Sequence, residues 1–329
     1  MSELLLRVRN LQVEFDRRPA VRDMSFDLRA GETLGLAGES GAGKSTLARA
    51  ILRLIDASGG SVEWRGEELL TCSPTRLRAL RRDMQIVFQN PLASLNPRMS
   101  IADAIAEPLK IFEPQLAAKA RAGRVAAMLE RVGLNPGMGG RFPHEFSGGQ
   151  CQRVGIARAM ILNPKLLICD EPVSALDVSI QGQIVNLLAD LQSEFGTAML
   201  FISHNLAVVR HLSRRIMVIY LGRCVESAAR DDLFAKPLHP YSTALLAAAS
   251  IAALGAQSAA VESAGPPSAG PPSAGPRSAA PTIGCAYRDR CRYSIAACET
   301  IEPPLSEVAA EHFAACHRSR EFSDARQVP

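Results

Sequence analysis

Two glycine-bearing segments of this 329-residue chain carry residue types suited to binding phosphate. In the first, Gly38-Glu39-Ser40-Gly41-Ala42-Gly43-Lys44-Ser45-Thr46, the glycines let backbone approach anionic oxygens without Cβ clashes, and N–H groups converge at a helix start. Lys44 is placed to neutralise β- and γ-phosphates. The Ser45 hydroxyl is suited to one position on Mg²⁺, which takes oxygen ligands in octahedral geometry. About a hundred residues later, Phe146-Ser147-Gly148-Gly149-Gln150 sets a hydroxyl and glycine N–H groups at a second helix start. A single P-loop says only that a nucleotide binds. A second phosphate-reading helix start suggests two chains closing around shared ATP.

Asp170-Glu171 follows the apolar run Leu166-Leu167-Ile168-Cys169. In isolation an acidic pair after a strand reads as a helix cap or a solvated turn. Following a P-loop at this distance, Asp170 suits the metal and Glu171 suits polarising a water against the γ-phosphate. His204 ends the next apolar strand, where its imidazole could hold that water near Glu171; a lone histidine otherwise has a structural role. Gln89, just past the strand at residues 85–88, gains meaning only from this order of motifs.

The elements that must position these groups alternate between strand and helix. Leu4, Leu6 and Val8, then Leu11, Val13 and Phe15, and again Met24, Phe26 and Leu28 alternate as half-buried strands. Residues 33–37 form a short apolar strand feeding the glycine-rich turn, and residues 45–55 continue as a helix. Helical patterns dominate residues 101–160, with Val125, Met128, Leu129 and Val132 on one face. Residues 180–195 repeat apolar positions at helical spacing, and residues 199–202 return to strand. This alternation predicts an α/β core with a helical insert and a hairpin over residues 216–226.

With 47% hydrophobic residues the chain can furnish a full core, and a net charge of +4, from 37 basic and 33 acidic residues, argues only weakly for anionic partners. The first ten residues do not resemble a secretory signal and no 18-residue apolar run occurs, so a cytosolic chain that meets membranes through partners is expected. Residues 264–278 repeat AGPPS, AGPPS, AGPRS, and residues 256–281 read as a disordered or extended linker. Beyond it, Cys285, Cys291, Cys298 and Cys316 crowd into 32 residues, which in a reducing compartment favours metal over disulfides. Compact zinc sites favour two-residue gaps, absent here. A 4Fe-4S cluster, zinc and unligated thiols all remain open on the spacing, and His312 and His317 read as surface residues.

Taken in order, these residues resemble the ATP-binding subunit of an ABC transporter over residues 1–240. Phe15 matches the A-loop aromatic, although it also reads as an ordinary strand residue. Residues 38–46 match Walker A, Gln89 the Q-loop, residues 146–150 the signature, Asp170-Glu171 Walker B, Ser174-Ala175-Leu176-Asp177 the D-loop and His204 the H-loop. The run from Phe88 to Arg98, Glu171-Pro172-Val173-Ser174-Ala175-Leu176-Asp177-Val178-Ser179 and Leu238-His239-Pro240-Tyr241 are similar to the oligopeptide/dipeptide/nickel importer subfamily. Two departures stand out: Phe146 replaces the usual Leu, and Cys151 replaces a basic or polar residue, which implies either altered packing of the signature helix or a thiol-sensitive site.

The resemblance implies a P-loop NTPase (RecA-like) nucleotide-binding domain over residues 1–240, with a helical subdomain near 90–160. A helical segment and linker at 241–281 and a cysteine-rich extension at 282–329 would follow. ATP and Mg²⁺ are its implied cofactors, with Ser45, Gln89 and Asp170 on the metal and Glu171, His204 and Gln89 as the catalytic set. Phe15, Gly38, Ser40, Gly41, Gly43, Lys44, Ser45, Thr46, Ser147, Gly148, Gly149 and Gln150 are its nucleotide-binding set. In the family, Ser147, Gly148 and Gly149 meet the γ-phosphate on the partner's Walker A, and a comparable cysteine tail is associated with 4Fe-4S clusters. Implied partners are a second ATPase subunit, identical or paralogous, integral membrane permease subunits and, indirectly, an extracytoplasmic solute-binding protein, on the cytoplasmic face of the membrane. A nickel or other small-solute importer is the near alternative. A soluble ABC ATPase acting on nucleic acid or ribosomes would share the motifs, but its usual second cassette, coiled-coil insert or basic arms are not seen.

Overall fold

A computed structural model describes residues 3–258 and 283–324. Among them, strands β1 (Leu4–Phe15), β2 (Arg18–Arg29), β4 (Gly59–Trp64) and β5 (Glu67–Glu68) form an antiparallel sheet in the order β2-β1-β4-β5. The two alternating runs before Phe15 are one strand. Its register slips between Val8 and Leu11, where Asn10 takes φ +48°, so that Leu6, Val8, Leu11 and Val13 all stay buried despite the change of phase. Trp64 of β4 is 1% exposed and anchors this layer. Its strand begins Gly59-Gly60-Ser61, too weak a pattern to read beforehand.

The second sheet joins β3 (Thr33–Ala37), β6 (Met84–Val87), β7 (Leu166–Asp170), β8 (Ala198–Ser203), β9 (Arg215–Tyr220), β10 (Arg223–Ala229), β11 (Ser306–Ala309) and β12 (His312–Ala314). Their order is β11-β12-β10-β9-β3-β8-β7-β6. β6, β7, β8, β3 and β9 are parallel neighbours, and every residue of β3, β7 and β8 is buried, which accounts for their unbroken apolar runs. Register decides the function of this sheet. Ala37 lies beside Ser203, Asp170 beside Ile202 and Val87 beside Cys169, so the carboxyl ends of four strands are level.

Helices Ile101–Phe112, Ala118–Arg131 and Gly148–Met160 bury Leu109, Met128, Leu129 and Val154 in a core continuous with Cys169 and Phe201 of the sheet. The helical insert therefore shares a core with the parallel strands. No described helix is long and apolar enough to cross a membrane.

The cysteine-bearing tail packs against the main sheet. β12 pairs antiparallel with β10, Glu226 opposite Ala314, and Tyr287 packs edge-on to Tyr220 at 5.2 Å. His312, expected at the surface, is 5% exposed, with Nε2 2.7 Å from Glu226 Oε1. The Glu226 carboxylate, itself fully buried, also accepts from the Leu238 and His239 N–H groups at 2.7 and 2.9 Å. A carboxylate without solvent requires such donors, and one of them comes from the tail. His317 is exposed, with Nε2 2.9 Å from the Ile301 carbonyl oxygen. Helix Pro240–Ser258 runs past residue 256, where a linker was expected, and the AGPPS repeats lie outside the described residues.

His239 is buried and its Nδ1 accepts from the Tyr241 N–H at 3.0 Å; burial pushes its pKa down from 6.5 to about 4. Because the folded pKa lies below the unfolded one, this group's stabilisation is complete above pH 6.5 and is lost as pH falls toward 4, by on the order of 3 kcal/mol at most. Urea unfolding of the wild type should therefore weaken across that window. His239→Asn should be less stable at pH 7 and show a shallower acid slope.

Candidate active site

β3 ends at Ala37, the chain turns through residues 38–43, and helix Lys44–Ile51 begins. Gly43 has φ +95°, and a Cβ there would lie 2.2 Å from the Ala20 carbonyl oxygen, so only glycine fits against β2. The Lys44 side chain is 3% exposed. Its Nζ donates to the carbonyl oxygens of Gly38 and Glu39 at 2.8 and 2.9 Å and stands 3.6 Å from Glu171 Oε1. Ser45 Oγ donates to Asp170 Oδ1 at 2.6 Å.

Glu171 is where the separate motifs meet. Gln89 Nε2 donates to its Oε2 at 3.1 Å, and His204 Nδ1 lies 3.3 Å from the same oxygen. The residue is 8% exposed and has φ +48°, an unusual backbone for a side chain of its size. Its carbonyl oxygen accepts from both the Ser174 N–H and the Ser174 hydroxyl, at 3.3 and 3.1 Å, which holds this conformation in place. Such strain at a convergence of charged groups makes Glu171 a candidate functional position. Gly38, Ser40, Gln89, Glu171, Ser174 and His204 line an open cleft of about 520 Å³. Ala175 of the same run and Leu245 also line it, and of these Leu245 is the one that motif order did not single out.

Burial pushes the Asp170 carboxyl above its usual range, partly opposed by the Ser45 hydroxyl bond. A cation at this oxygen-rich edge would reverse that direction, and the hydroxyl, amide and carboxylate donors of Ser45, Gln89 and Asp170 suit Mg²⁺.

The signature residues stand apart from this cleft. Ser147 caps helix Gly148–Met160, accepting from the Gln150 N–H at 3.3 Å while Gln150 Oε1 accepts from the Ser147 N–H at 2.9 Å. Ser147 and Gly148 are exposed, and a Cβ on Gly149 would lie 2.7 Å from Ile180 Cγ2. Phe15 is 51% exposed beside the β1–β2 turn, also outside the cleft, whereas Gly41 and Thr46 belong to the loop and the first helical turn.

Cys151 is fully buried, its thiol donating to the Pro143 carbonyl at 3.4 Å and pushed up by burial. It is a packing residue, so the prospect of a thiol-sensitive signature is withdrawn. In the tail, burial raises the thiols of Cys285 and Cys291. Cys316 is pushed up to about 11, mainly by burial and further by nearby Cys285, Cys291 and Cys298. The four thiols share one neighbourhood. Even so, among the described residues no group of three or more His, Cys, Asp or Glu is arranged to hold a metal ion, so neither the 4Fe-4S nor the zinc expectation meets a ready site. The turn Arg288–Arg290 lies between Cys285 and Cys291, Cys298 sits in helix Ala297–Thr300, and the β11–β12 pair separates it from Cys316.

Residues 21–174 match the ABC transporter family, and residues 225–298 match the oligopeptide/dipeptide transporter C-terminal region. Over 328 residues the chain is 47% identical to the oligopeptide transport ATP-binding protein OppF of Haemophilus influenzae, covering 96% of this chain and 97% of that one. The chain belongs to the ABC transporter ATP-binding subunits of the oligopeptide/dipeptide type. This ABC ATPase is also 52% identical over 262 residues to OppF of Escherichia coli K12, covering 76% of this chain and 78% of that protein. It is 54% identical over 262 residues to the glutathione import ATP-binding protein GsiA of the same strain, covering 76% of this chain but 42% of GsiA. Among solved structures, the ADP- and Pi-bound dimer of the ATP-binding cassette MJ0796 aligns with a TM-score of 0.63 at 26% identity, over 69% of this chain and 99% of that one. The C-terminal match includes β10 and reaches Cys298, so the tail is part of what places this ABC ATPase in its branch.

The Gly43 geometry has a direct consequence. Gly43→Ala forces the loop away from β2 and should lower ATP affinity by at least about tenfold, since both a positive φ and a backbone clash must be relieved. Titration with a fluorescent ATP analogue measures it.

Proposed function

We propose that this ABC ATPase is the motor of a membrane importer of oligopeptides or dipeptides, closing with a second cassette around ATP. The convergence of Lys44, Gln89 and His204 on Glu171 carries the reading. Residues 38–46 would hold the phosphates, Lys44 exchanging its carbonyl and Glu171 contacts for phosphate oxygens. Released from Lys44, Glu171 would take a proton from water as general base, with Gln89 and His204 aligning it. Ser45, Asp170 and Gln89 would hold Mg²⁺, whose chemistry is charge neutralisation at the phosphates.

Ser147 and Gly148, exposed and outside the chain's own cleft, would with the half-buried Gly149 be offered to the nucleotide of the partner, and Phe15 to the adenine. Membrane permease subunits would dock this chain at the cytoplasmic face as a peripheral subunit, with an extracytoplasmic binding protein delivering cargo. The substrate class follows the OppF relatives.

Glu171→Gln in the assembled importer should lower ATP turnover by at least about a hundredfold while ATP binding persists, because the amide keeps the shape and loses the base. Turnover at the wild-type rate would sink the assignment.

The finer reading of the tail is that Cys285, Cys291, Cys298 and Cys316 hold a 4Fe-4S cluster. It is supported by the mutual proximity of the thiols and requires them to draw into a ligand set. Protein prepared without oxygen should then carry about four irons per chain and absorb in the visible. Stoichiometric zinc, or neither metal, overturns it.

A further inference from the structure

Glu39, the second residue of the phosphate loop, is held at three points. Its carbonyl oxygen accepts from Lys44 Nζ at 2.9 Å, its N–H donates to the Tyr241 hydroxyl at 2.9 Å, and its carboxylate accepts a two-pronged bond from Arg290 at 3.0 and 2.9 Å. Only the first contact lies within the phosphate loop. Tyr241 comes from helix Pro240–Ser258, and Arg290 from the turn Arg288–Arg290 between Cys285 and Cys291.

Tyr241 and Arg290 are themselves anchored. Tyr241 is 1% exposed, and its ring lies 4.6 Å from Tyr220 and 5.4 Å from Tyr287. The Arg290 guanidinium stands over the Tyr287 and Tyr220 rings at 5.5 and 5.9 Å. A planar guanidinium matched to a carboxylate and backed by aromatic faces is directional in a way that a single-point ion pair is not.

We propose that Tyr241 and Arg290 are positioning residues for nucleotide binding, fixing Glu39 so that its carbonyl oxygen parks the Lys44 ammonium at the mouth of the phosphate site. The inference rests on residues 38–46 being the nucleotide cradle. Neither residue touches the cleft lined by Gln89, Glu171 and His204, so each acts on the alignment of the loop and not on the hydrolytic step. The C-terminal segment thereby reaches the nucleotide site.

The Arg290 and Glu39 side chains are about half exposed, at 51% and 47%, so their contribution is modest. In the assembled importer, Arg290→Ala should raise KM for ATP about threefold to fivefold with kcat within about twofold. Glu39→Gln, in the phosphate loop itself, should raise KM at least as far, and the double variant should be no worse than Glu39→Gln alone. The charge-swapped pair Glu39→Arg with Arg290→Glu should recover most of the loss. Tyr241→Phe removes the hydroxyl that accepts from a backbone N–H and should raise KM about tenfold, beyond any change in Tm. An unchanged KM in Arg290→Ala, or additive effects in the double variant, overturns the proposal. Failure of the wild type to bind ATP would instead overturn the nucleotide reading beneath it.

Discussion

Burying the Lys44 ammonium is the constraint around which the site is organised. A cation with 3% of its side chain exposed cannot stand without compensation, and the chain supplies two loop carbonyls and a carboxylate. The carbonyls require the loop to fold back over its own helix start, and Gly43 permits that path past Ala20. The carboxylate requires β7 to end level with β3 across β8, as the parallel register provides. These contacts hold the ammonium in one place with its donors already directed at oxygen acceptors.

The same economy appears where the tail meets the sheet. Glu226 sits in β10 with no water to solvate it and draws donors from residues 238 and 239 and from His312. Tyr220, Tyr241 and Tyr287 interlock beside it, bringing β9, the following helix and the tail into one aromatic cluster. Chain regions that look independent in composition are thereby joined by satisfied polar groups and ring contacts.

Much of the candidate site was legible in the sequence because its parts are short, ordered and tied to strand ends. Gly38, Lys44, Ser45, Asp170, Glu171, Gln89 and His204 come together in space as their order along the chain implied. Partnerships were harder to see, because hydrogen bonds between residues far apart along the chain leave no local pattern. Glu39 with Arg290 and Glu226 with His312 are of this kind, and a histidine beside charged neighbours looks like surface until a strand places it inside. Weak strands were missed for another reason. β4 begins with two glycines, and β12 spans three residues, so both depend on their neighbours more than on their own propensity. The slip at Asn10 hid one long strand as two, since a bulge breaks the period on which such reading relies.

β10 would otherwise end the main sheet as a seven-residue strand with one row of backbone groups unpaired. Such an edge recruits other strands, from other molecules if none is nearer. β12 occupies that row, and β11 beyond it is only four residues long, with Ser306 and Glu307 exposed at the new border. The tail therefore acts as a selvedge, finishing a sheet that would otherwise fray into its neighbours.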